Sequence, residues 1–106
     1  MQSLSIQNTK LTKLPIEVKK LSNLKQLHLS GNRFTSLPSE IAKPANITFI
    51  NLSGNRLLTL SRKLAKYEGV ISLIVSNNKL TALPVEIKQL VNLKELDLQG
   101  NPALSN

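Results

Sequence analysis

Apolar residues return in this chain every 23 positions, and a fixed period of that length constrains the fold before any local propensity does. Leu4, Leu27, Ile50, Leu73 and Leu96 form one column of the repeat; Ile6, Leu29, Leu52, Val75 and Leu98 form a second; Met1, Leu24, Ile47, Val70 and Leu93 form a third. Asn32, Asn55, Asn78 and Asn101 make a polar column headed by Thr9. Two residues further on come Leu11, Phe34, Leu57, Leu80 and Ala103, and then Leu14, Leu37, Leu60 and Leu83. The register runs through all 106 residues, so residues 1–106 read as a single domain of about five repeats without distinct capping modules.

The spacing carries its own physics. Leu27 and Leu29 are two apart, so on an extended segment both face one side, while Gln26, His28 and Ser30 face the other. One side is core and the other is water. A single unit cannot bury its apolar side, but stacked units pair their short strands and share a continuous core. After the strand the chain turns sharply, and a buried turn leaves peptide groups without partners. An amide side chain offers both donor and acceptor and can satisfy the backbones of adjoining coils, which accounts for Asn32.

LHLSGNRFTSLPSEI (Leu27 to Ile41), INLSGNRLLTL, LIVSNNKLTALP and LDLQGN resemble the leucine-rich repeat, L-x-x-L-x-L-x-x-N-x-L, in its L-P-x-E-I-x-x-L-x-N variety. The resemblance covers the chain without gaps. It implies an α/β fold: a right-handed solenoid with a short parallel β-sheet on the concave face and short helices or 3-10 turns on the convex face. It also implies an asparagine ladder through Asn55, Asn78 and Asn101.

On the return path Pro15, Pro38 and Pro84 suit the first turn of a short helix, and Glu17, Glu40 and Glu86 follow where a helix dipole favours a carboxylate. The third unit departs from this with SRKLAKYEG, which reads as a helix capped by Ser61 and ended by Gly69. Pro44 stands where Leu21 and Leu90 stand in other units, predicting that the second unit ends its helical turn early and carries a small packing defect.

Several function classes can be weighed from composition. No apolar run approaches the roughly 18 residues needed to cross a bilayer, and Met1-Gln2-Ser3-Leu4 lacks the features of an export signal, so the expected setting is cytoplasmic with no membrane partner. Without cysteine there is no disulfide framework and no thiolate ligand or nucleophile. The sole histidine, His28, lies three units from Asp97 in one column, roughly 14 Å away at strand spacing, which rules out a hydrogen-bonded base and orienter. Gly31, Gly54 and Gly100 are repeat-turn glycines rather than a phosphate loop. No catalytic group, metal site or cofactor is expected.

Function is then a matter of surfaces. Outward strand positions form the columns Ser3, Gln26, Phe49, Ser72, Glu95; Ser5, His28, Asn51, Ile74, Asp97; and Gln7, Ser30, Ser53, Ser76, Gln99. The resemblance implies protein recognition on this face, with Gln26, His28, Phe49, Asn51, Ile74, Glu95 and Asp97 as the contacts. Phe49 and Ile74 are diagonal neighbours in a polar field, which suits a hot spot, although two isolated surface apolar residues are also ordinary.

The net charge of +8 raises a rival. Lys10, Arg33, Arg56 and Lys79 follow the asparagine position and form a basic rim able to dock acidic tails or polyanions. In the bland alternative their stems simply cover loop backbone. With Phe34, Phe49 and Tyr67 as the only aromatics there is no set of stacking platforms, and nucleic acid fits poorly. A third reading is a structural piece of a longer array. Leu4, Ile6 and Leu11 at one end and Leu96, Leu98 and Leu104 at the other predict self-association, or cover by another segment, at a solenoid end. The sequons Asn46-Ile47-Thr48 and Asn51-Leu52-Ser53 would matter only after secretion.

Overall fold

The computed structural model describes residues 2–104; Met1, the first member of one apolar column, and the last two positions of the 1–106 domain lie outside the described residues. Strands β1 Ser3–Ser5, β2 Gln26–His28, β3 Phe49–Asn51, β4 Ser72–Ile74 and β5 Glu95–Asp97 pair in chain order as one parallel sheet. The register runs Leu4, Leu27, Ile50, Leu73, Leu96 from strand to strand, so the columns of the sequence are rows in space. Such parallel crossovers wind right-handed, and the short 3-10 turns of the return path lie on the convex side of the solenoid.

Each strand is three residues long because the chain bends soon afterwards. Gly31, Gly54 and Gly100 and the asparagines Asn8 and Asn77, all in one column, take positive φ at that bend. Glycine and asparagine are the residues that tolerate this region. Main-chain rungs continue past the strands: Leu29 N–H donates to Asn51 O at 2.9 Å, Leu52 to Ile74 O at 2.8 Å and Val75 to Asp97 O at 3.0 Å.

Leu27, Leu29, Ile50, Leu52, Leu73 and Val75 are fully buried, and each contributes on the order of 1.5–3 kcal/mol of apolar burial. Their end-unit counterparts Leu4, Ile6, Leu96 and Leu98 are only partly buried. Stacking therefore supplies the core, and the middle units hold most of it.

The asparagine ladder is present. Asn55 Nδ2 donates to the Leu29 and Leu52 carbonyls at 3.0 and 2.9 Å, while its Oδ1 accepts the Phe34 N–H at 3.0 Å. Asn78 repeats this with Leu52, Val75 and Leu57, and Asn101 with Val75, Leu98 and Leu80. The Leu29 carbonyl also accepts from Asn32, so an interior strand carbonyl is held by the amides of two consecutive units. Thr9, at the head of the column, cannot span a coil; its hydroxyl donates to Asn32 Oδ1 at 2.7 Å, and Lys10 beside it takes a positive φ.

On the convex side the prolines act one residue earlier than expected. Pro15 and Pro84 precede 3-10 turns at Ile16–Lys20 and Val85–Gln89, whose first turns contain Glu17 and Glu86. After Pro38 no helical turn forms. The second unit's only turn is Pro44–Asn46, so its helical geometry starts late instead of ending early. The cause is Pro44: the preceding Lys43 is held at φ −131° and ψ 73°, outside helical space, and Pro44 then opens a turn of its own.

The predicted packing defect is present as a cavity of about 210 Å³ lined in part by Pro38, Ile41, Pro44 and Tyr67. Tyr67 occupies the column position of Pro44 one unit later, and both residues border that cavity. Its hydroxyl donates to the Pro38 carbonyl at 2.8 Å. Burial, and secondarily the Glu40 carboxylate, push the phenol well above the ordinary tyrosine range.

In the third unit a longer 3-10 turn, Arg62–Tyr67, forms with Ser61 accepting the Lys63 N–H. Gly69 does not act there as a left-handed cap. A β-carbon at that position would collide with the Ala45 carbonyl, so close approach between coils is what demands glycine.

Candidate partner-binding face

Two of the three outward columns form the face. Gln26 pairs with Phe49, Phe49 with Ser72 and Ser72 with Glu95; His28 pairs with Asn51, Asn51 with Ile74 and Ile74 with Asp97. The third column lies beyond the three-residue strands; its Gln7 and Gln99 are exposed, Ser30 and Ser53 half-buried and Ser76 buried.

Its centre is apolar and partly ordered. Phe49, Ile74 and His28 are half-buried, and the His28 and Phe49 rings lie 4.9 Å apart at 34° across neighbouring strands. A His28 ring nitrogen sits 3.2 Å from Gln26 Oε1. Asn51 Oδ1 accepts the Ser53 N–H at 3.0 Å and Asp97 Oδ1 accepts the Gln99 N–H at 3.1 Å, each locking its own side chain against the following turn. The Ser72 hydroxyl donates to Glu95. Pre-fixed side chains lose little entropy on binding.

Sequence reasoning identified the Phe49–Ile74 diagonal. It missed the other diagonal, from Phe49 to His28, because only the direct column neighbours Ser5 and Asn51 were weighed for the histidine. The period-two register contains that signal, since a ring at position i of one strand reaches position j+2 of the next. His28 and Asp97 stand three strands apart, so they do not act together. Among the described residues no group of three or more His, Asp or Glu side chains could hold a metal ion.

Lys10, Arg33, Arg56 and Lys79 are all exposed. Arg33, Arg56 and Lys79 donate their N–H groups to Leu11, Phe34 and Leu57 at 2.7, 2.9 and 2.9 Å, a regular step from coil to coil. Lys10, with its positive φ, departs from that row in backbone conformation. At the C-terminal edge a concavity of about 1240 Å³ opens against Leu83, Leu96, Leu98 and Leu104, where a further coil would lie. No helix among the described residues is long and apolar enough to cross a membrane.

Residues 1–57 match the family model for the leucine rich repeat. A leucine-rich repeat protein of Leptospira interrogans superposes with a TM-score of 0.83 at 42% identity, over 96% of this chain and 26% of that one. The chain thus spans about a quarter of that protein's length. The BIR2 ectodomain from Arabidopsis thaliana gives 0.73 at 26% identity, covering 97% and 68% of the two chains. The leucine-rich repeat ectodomain of the receptor kinase SOBIR1, also from Arabidopsis thaliana, gives 0.57 at 25% identity, covering 96% and 71%. No curated protein matches the sequence.

Proposed function

The chain belongs to the leucine-rich repeat family, and on that premise we propose that it is a non-catalytic module that binds another protein on its concave sheet. The observation that carries the reading is the half-buried cluster of His28, Phe49 and Ile74, set among polar side chains on a parallel sheet. Gln26, Asn51, Glu95 and Asp97 complete the contact set. Anchors of this kind, ringed by near-neutral contacts, concentrate binding energy. The likeness to two ectodomains, one of them from a receptor kinase, is consistent with a recognition role.

The test compares partner capture by the parent with capture by a Phe49→Ala, Ile74→Ala double variant. Loss of the captured partner supports the reading, and undiminished recovery removes the cluster from it.

A second reading has its own support. Arg33, Arg56 and Lys79 step regularly along one rim and could dock an acidic tail or another polyanion, with Lys10 at the end of the row. Ionic strength separates the two: rim docking weakens steeply as salt rises, and anchoring on the apolar cluster weakens little. The partly buried Leu96 and Leu98 beside the C-terminal concavity further support self-association at that edge.

A further inference from the structure

We infer that the segment recognised by the concave face carries an apolar side chain and, two residues along, a lysine or arginine. This deepens the reading of the concave sheet as the binding surface and rests on it. The chain has 14 lysines and arginines against 6 acidic residues, yet the two strand columns contain no lysine or arginine. Their charges are Glu95 and Asp97, both on β5. A molecule of net charge +8 therefore presents a face of formal charge −2, with the negative charge at one end.

The geometry sets a spacing. Ile74 pairs directly with Asp97, and Phe49 lies one strand further back on the diagonal. The Phe49–Ile74 pair is centred between β3 and β4, one and a half strand spacings from β5, which at about 4.8 Å per strand is roughly 7 Å. In an extended segment crossing the strands, residues i and i+2 project to the same side, about 6.6–6.8 Å apart. An apolar residue seated on Phe49 and Ile74 thus brings the residue two positions on over the carboxylates.

An acidic side chain there would meet like charge. A long basic one would reach Glu95, already turned toward the sheet by Ser72, and also Asp97. The overall positive field opposes approach of a basic segment while salt screens both that repulsion and the local attraction, so the affinity should vary weakly with ionic strength. This is the opposite of rim docking.

The experiment uses fluorescein-labelled peptides of nine residues, identical except for a central leucine-serine-lysine, leucine-serine-glutamate or leucine-serine-serine, titrated with the whole chain by fluorescence anisotropy. The lysine peptide is expected to bind at least tenfold tighter than the glutamate peptide and about threefold tighter than the serine peptide. In Glu95→Gln, Asp97→Asn, near-isosteric changes at an exposed and a half-buried position whose folding is checked by circular dichroism, the three should converge.

Equal affinities for the parent, preference for glutamate, or no binding of any peptide at millimolar protein overturn the inference. Phe49→Ala keeps the two failures apart. If it weakens every peptide equally while lysine and glutamate bind alike, the concave reading survives and the charge pattern falls. If binding is indifferent to Phe49, the concave reading itself falls.

Discussion

Asn55 and Asn51 are the same amino acid four positions apart, and replacing each by alanine separates structural from surface roles. Asn55→Ala leaves the buried Phe34 N–H without an acceptor, which costs about 1–3 kcal/mol. It also removes donors from the Leu29 and Leu52 carbonyls, but each keeps one, from Asn32 and Asn78 respectively. Those losses fall at the low end, about 0.5 kcal/mol apiece. The sum is about 2–4 kcal/mol, a large part of the roughly 5–15 kcal/mol that a domain of this size holds. Asn51→Ala loses only the part-buried bond from Ser53 N–H and should cost about 1 kcal/mol.

Urea unfolding followed by circular dichroism measures both, with the slope watched for loss of single coils, since repeat arrays can unfold in parts. Hydrogen exchange adds a local readout: the Phe34 amide should lose protection in Asn55→Ala and keep it in Asn51→Ala. Equal costs for the two variants, or a Phe34 amide still protected in Asn55→Ala, would refute the account of the ladder.

The remaining predictions concern strain, charge and assembly. Because the Tyr67 phenol is raised in the folded state, its neutral form is favoured there; its contribution is complete below the ordinary value of 10.0 and is lost as pH rises above it, at about 1.4 kcal/mol per pH unit. Tyr67→Phe should lower stability by about 1–2 kcal/mol at neutral pH and flatten the alkaline loss; an unchanged alkaline slope would contradict this. Gly54→Ala, at φ 66° with only ordinary van der Waals contact to the Gly31 backbone, should cost about 1 kcal/mol, and Gly31→Ala more, because its new methyl meets the Asn8 side chain. Removing that side chain with Asn8→Gly should shrink the difference to what the Asn8 backbone nitrogen at 3.3 Å still imposes, measurable as a double-mutant cycle. Ser61, at φ 57° and ψ −178°, sits in a region nearly reserved for glycine, so Ser61→Gly should raise the melting temperature despite losing a weak cap bond. Self-association at the C-terminal edge predicts a light-scattering mass above the monomer that falls on Leu104→Lys; a strictly monomeric parent would exclude it.

The parts of this structure that were legible in the sequence are those governed by periodicity. Five units of equal length force Leu4, Leu27, Ile50, Leu73 and Leu96 into register, and a buried turn demands an amide at Asn32 and its successors. What the period did not reveal arises where units differ. The second unit's late turn comes from a single proline restricting Lys43. The short strands end at a bend placed by Asn8, Gly31, Gly54, Asn77 and Gly100. The stack of His28 on Phe49 depends on a diagonal contact, which column reading by direct neighbours passes over. Site residues are harder to read than fold because the repeat specifies which way a side chain points and leaves its chemistry free.

Pro44 and Tyr67 share one column and border the same cavity across a single junction, where Tyr67 also bonds the Pro38 carbonyl. Stacked repeats are commonly treated as exchangeable bricks, yet this pair makes the second and third a matched couple. Duplicating the third alone would set two tyrosines face to face, and deleting it would leave Pro44 against Leu90, with nothing bulky to fill the space. Any lengthening or shortening of this array that keeps its packing would have to carry those two units together.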